Sequence, residues 1–105
     1  DSVYNKPEVM PEFPGGMEAM MKYLSENLKY PEQAKEKNTQ GIVLVTFIVE
    51  KNGSISDVKV VKGIGGGCDE EALRVIKAMP KWKPGMQNGK KVRVSFAIPI
   101  NFKLQ

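Results

Sequence analysis

Apolar residues recur at spacings of three and four over residues 17–28, where Met17, Met20, Met21, Leu24 and Leu28 predict an amphipathic helix. Tyr30-Pro31 ends it, because the residue before a proline avoids the α region. Pro31 then suits the first position of a short helical turn through Ala34 and Glu36. From Ile42 to Glu50 the period changes to two. Val43, Val45, Phe47 and Val49 share one face, and Ile42, Leu44, Thr46 and Ile48 share the other. Two apolar faces mark a central strand with something on each side, or a strand with one face kept for a partner. Asn52-Gly53 predicts a tight hairpin turn with positive φ at both central residues, leading into a second strand over residues 54–62. In that strand Ile55 and Val58 break the alternation, which predicts a bulge near Ser56-Asp57. Asp69 is the expected N-cap of a helix from Glu70 to Met79, whose buried stripe is Ala72, Leu73, Val75, Ile76 and Met79. A third strand covers residues 91–104. Val92, Val94, Phe96, Ile98, Ile100 and Phe102 face the core, and Arg93, Ser95, Ala97, Asn101 and Lys103 form a wetter face.

These elements predict an α+β fold of two helices packed on a three-stranded mixed sheet. The first two strands must pair because their turn is so short. The first is the most apolar and belongs in the centre, giving spatial order two, one, three. Residues 1–15 read as an extended arm, since Pro7, Pro11 and Pro14 forbid a regular helix, and residues 16–105 as the domain. The third strand is then a long edge, and Pro99 argues that it is open there. An unpaired edge is a template for another chain, either a peptide or a second copy.

The 105 residues carry a formal net charge of +4, unevenly spread. Seven acids stand against four lysines in residues 1–36, so the remainder is basic, which suits an acidic partner or simply a solvated surface. There is no histidine, and one cysteine supplies neither an intrachain disulfide nor a common structural zinc site. Cys68, ahead of a helix start, reads as a structural, half-buried thiol, although a helix dipole there would favour the thiolate. Gly63-Ile64-Gly65-Gly66-Gly67 lacks the spacing and the Lys-Ser or Lys-Thr of a phosphate loop. With no nucleophile–base motif, the chain reads as a binding module and not an enzyme, with no cofactor and no metal. Lys81, Trp82, Lys83, Lys90, Lys91 and Arg93 suggest nucleic-acid binding as a competing reading. A lone tryptophan is more often a core or rim anchor, so no nucleic-acid partner is expected.

The chain resembles the C-terminal domain of TonB-type energy transducers, in the form common in Bacteroidetes-like bacteria. The resemblance rests on Pro11-Glu12-Phe13-Pro14-Gly15-Gly16, on Tyr30-Pro31 with Ala34, on residues 41–49, and on Gly53. It continues through residues 58–61 and 69–73, Pro80-Lys81-Trp82-Lys83-Pro84-Gly85, and the closing Pro99-Ile100-Asn101-Phe102. The resemblance implies a periplasmic domain, anchored to the inner membrane by a region outside this chain and energised there by a proton-channel complex. It implies that the domain grips the TonB box of outer-membrane receptors by edge-strand addition, driving nutrient import. Carried onto this sequence, the partner-binding residues are Val92, Arg93, Val94, Ser95, Phe96, Ala97 and Ile98, with Tyr30 and Pro31 at a corner near receptor contacts. Related domains also end membrane sensors and peptidases, which is a second reading. Strand exchange into a homodimer is a third possibility for the same edge.

Overall fold

Strict alternation of apolar residues builds the sheet. In the computed structural model, which describes residues 2–104, eight elements follow one another. They are β1 (Val3–Tyr4), α1 (Gly16–Asn27), α2 (Glu32–Glu36), β2 (Gly41–Val49), β3 (Ile55–Lys62), α3 (Cys68–Lys77), β4 (Gly85–Gln87) and β5 (Lys90–Phe102). The order across the sheet is β1-β5-β2-β3, with β4 also paired to β5. Its centre, β5-β2-β3, is the predicted order of third, first and second strands. β2 and β5 are antiparallel in unbroken register from Gly41↔Phe102 to Val49↔Val94. Val43, Val45, Phe47 and Val49 turn to the helices and are buried, together with Val94, Ile98, Ile100 and Phe102 of β5. Met20, Leu24, Ala34, Ala72, Val75 and Ile76 close the core from the helical side.

The bulge lies where the pattern slips. Thr46 pairs with Lys59 but Ile48 with Ser56, and Asp57 takes a left-handed φ of 50°. The other turn expectations need correction. At Asn52-Gly53 only Gly53 has positive φ, while Gly53 N–H donates to Glu50 C=O at 2.9 Å, so the turn is of type I followed by a left-handed glycine. The pair with positive φ at both residues is Asn88 (53°) and Gly89 (73°), and it closes a β4–β5 hairpin that the short Gly-Met-Gln run did not announce. Asp69 is not the cap of α3. That place is taken by Gly67 at φ 88°, and the Asp69 carboxylate instead accepts from the Ile64 N–H at 2.9 Å and the Gly65 N–H at 3.3 Å, tying the glycine loop to the helix. Met17 and Met21 lie outside the core, at 64% and 60% exposure, so the buried stripe of α1 is narrower than its spacing implied.

The arm is ordered against the sheet. Val3 and Tyr4 pair in parallel with Arg93 and Val94. Val9 exchanges backbone bonds with Met86, and Glu12 with Lys83. Phe13 is then inserted into the core, edge-on to Trp82 with ring centres 5.8 Å apart. No helix among the described residues is long and apolar enough to cross a membrane.

Candidate partner-binding edge

Proline fixes which backbone groups of β5 look outward. Pro99 stands opposite Leu44 and has no N–H, so theirs is a non-hydrogen-bonded pair. Alternation then turns the N–H and C=O of Ser95, Ala97 and Asn101, and the C=O of Pro99, away from β2. The partners of β2 agree. Thr46 and Ile48, opposite Ala97 and Ser95, are the residues that pair onward to Lys59 and Ser56 of β3. Among the described residues, no strand lies on that outer edge of β5 from residue 95 to residue 102.

The predicted site residues therefore divide. Val92 is paired with Gly85 of β4, and Arg93 and Val94 with the arm. Ser95, Phe96, Ala97 and Ile98 lie on the open stretch, with the side chains of Ser95 and Ala97 on the sheet face away from the helices. Tyr30 and Pro31 sit at the far end of the strand. The Tyr30 ring meets Phe102 edge-on at 5.7 Å, its hydroxyl donates to the Thr39 carbonyl, and burial pushes its pKa up. Pro31 lies against Gly67. The coverage at residues 93–94 was missed because Val3-Tyr4 is two residues long, too short to show a period.

One charge of β5 is held in an ion pair with the end of β2. Arg93 Nε donates to Glu50 Oε1 at 2.8 Å, and Nη2 to Oε2 at 3.2 Å. Arg93 and the Ser56 hydroxyl hold the Glu50 carboxyl below its ordinary pKa. On the helical side Arg74 donates to both oxygens of Glu71 and, at 2.8 Å, to the Asn27 carbonyl. Arg74 likewise keeps Glu71 low, and Glu71 accepts from the Lys29 N–H at 2.7 Å, so this network joins α3 to the end of α1. Cys68 is fully buried, and that burial, aided by Asp69 and Glu70, raises its pKa, so the expected dipole effect is outweighed and the thiol stays protonated. Trp82 is 4% exposed and packed against Phe47 and Phe96, the core anchor expected of a lone tryptophan and too buried to stack on a nucleobase.

A family model described as Gram-negative bacterial TonB protein C-terminal matches residues 26–104. Two relatives, each the protein TonB of a Helicobacter pylori strain, are 31% identical over 83 residues, covering 78% of this chain and 28% of their own length. The chain thus spans little more than a quarter of those relatives. The solution structure of a Helicobacter pylori TonB C-terminal domain superposes with a TM-score of 0.63 at 28% identity, over 82% of this chain and 78% of that one. That of Pseudomonas aeruginosa superposes at 0.55 and 25% identity, over 73% and 78%.

Proposed function

We propose that this chain, which belongs to the family of Gram-negative TonB C-terminal domains, grips the N-terminal TonB box of outer-membrane receptors by accepting it as an added strand on β5. The observation that carries this reading is the outer row of N–H and C=O groups at Ser95, Ala97 and Asn101, with the C=O of Pro99, on which no strand lies among the described residues. Each backbone bond to the incoming strand contributes about 0.5–1.5 kcal/mol net. Several of them loaded together transmit a pull without catalytic chemistry. On this reading the domain works in the periplasm. Residues outside this chain tether it to the inner membrane and to the complex that energises it, and the pulled receptor admits its nutrient.

The test is hydrogen exchange with and without a synthetic receptor N-terminal peptide containing a TonB box. Protection is expected at the amides of Ser95, Ala97 and Asn101. The amides of Phe96 and Ile98, already bonded to β2, should change little. Protection confined to α1 and α3 would reject edge addition.

A further inference from the structure

An added strand would present its side chains alternately to the two faces of the sheet. The residue pairing with Phe96 shares that ring's face and points to the helical side. There the structure holds an open apolar cleft of ≈ 290 Å³. Met10 and Phe13 of the arm, Met17 and Met20 of α1, Trp82 and Phe96 form its apolar walls, and Glu12 is the one charged residue of the lining. Because α3 lies over β3 and β2, nothing from that helix closes the cleft.

We infer that this cleft is the specificity pocket of the edge, receiving one bulky apolar side chain, aromatic or long aliphatic, from the strand residue that pairs with Phe96. The inference rests on the edge-addition reading. Its first support is position, since Phe96 belongs both to the cleft wall and to the open stretch of β5. Its second is size, because the volume, at the lower end of small-molecule sites, is ample for one bulky side chain. The third is chemistry. Methionine walls reshape around different apolar groups, and Met10 and Met17 are left 44% and 64% exposed at the rim. Backbone bonds along the edge would then set affinity for any extended peptide, and the cleft would choose among peptides.

The test uses glutamate-flanked, threonine-rich nine-residue peptides with one central guest: Phe, Leu, Ala or Lys. Acidic flanks match the basic character of residues 37–105. Fluorescence of Trp82, the chain's single tryptophan, reports the cleft, and the amide shifts of Ser95, Ala97 and Asn101 report the edge. Phe and Leu guests should bind about ten-fold tighter than Ala and shift the Trp82 emission. Met10→Ser and Met17→Ser, both at exposed positions, should erase that preference while leaving the Ala-guest affinity unchanged. Equal binding of all four guests with responding edge amides overturns the pocket and keeps the edge. Silence of the edge amides toward every guest overturns both.

Discussion

At the scale of the residue, two positions carry more than their size suggests. Gly53 takes φ 88°, and a β-carbon there would stand 2.0 Å from the Trp82 carbonyl, while Trp82 N–H donates to the Gly53 carbonyl at 2.8 Å. The hairpin tip is thereby held to the segment carrying the indole. Gly53→Ala should destabilise the domain by about 2–4 kcal/mol in urea denaturation, through left-handed strain and steric conflict together. A loss below about 0.5 kcal/mol would mean that this contact is not made. Glu50 gives a pH signature. Its pKa is depressed in the folded state, so the stabilisation is fully present above the ordinary carboxylate value of about 4.3 and fades as pH falls through the lower folded value. Glu50→Gln should cost about 1–2 kcal/mol at pH 7 and flatten the acid limb of stability below about pH 4.5. An acid limb identical to the parent's would remove Glu50–Arg93 from the account. The aromatic cluster grades in the same way. Phe47 is 1% exposed, and Phe47→Ala should cost about 3–5 kcal/mol. Phe96→Ala should cost less, because one side of that ring already faces the open cleft.

At the scale of the element, β5 has two different edges. One is sealed by β2, and the other, among the described residues, is covered only near its start by the two residues of β1. Ala97→Pro removes an outward N–H while sparing the bonds to β2, as Pro99 already does two residues on. The variant should fold with nearly unchanged stability and bind a TonB-box peptide about ten-fold more weakly by calorimetry. Unchanged affinity would place the peptide elsewhere. Deleting residues 1–5 should free the outward amide of Arg93 for exchange and tighten peptide binding a few-fold, since it lengthens the available edge. Much of this element-scale picture was legible in the chain. The period of two in residues 42–50 and 92–102 specified partners, faces and order, because one face of each strand had to be buried. The slip between Ile55 and Val58 located the bulge at Asp57. What escaped was set by contacts remote in sequence. Val3-Tyr4 becomes a strand only because β5 offers it an edge, and Met17 is exposed because α1 begins over a cleft instead of a filled core.

At the scale of the whole molecule, the domain measures 50 × 24 × 18 Å, and β5, about 43 Å if fully extended, is comparable to its longest dimension. The arm enters along the same strand that would hold the partner, with β1 at residues 93–94 and the open stretch beginning at residue 95. Force arriving through the N-terminus and force leaving through a bound peptide would therefore meet on one strand, backed by the full-length β2 pairing. That arrangement suits a module that holds under tension. Its central claim is that the partner becomes the next strand beside β5. The most direct measurement is an isotope-edited NOE experiment on labelled domain with an unlabelled receptor N-terminal peptide. Cross-strand contacts from the peptide backbone to the amides of Ser95, Ala97 and Asn101, in steps of two residues, are the expected result. Peptide contacts confined to α1 and α3, with none along β5, would contradict it.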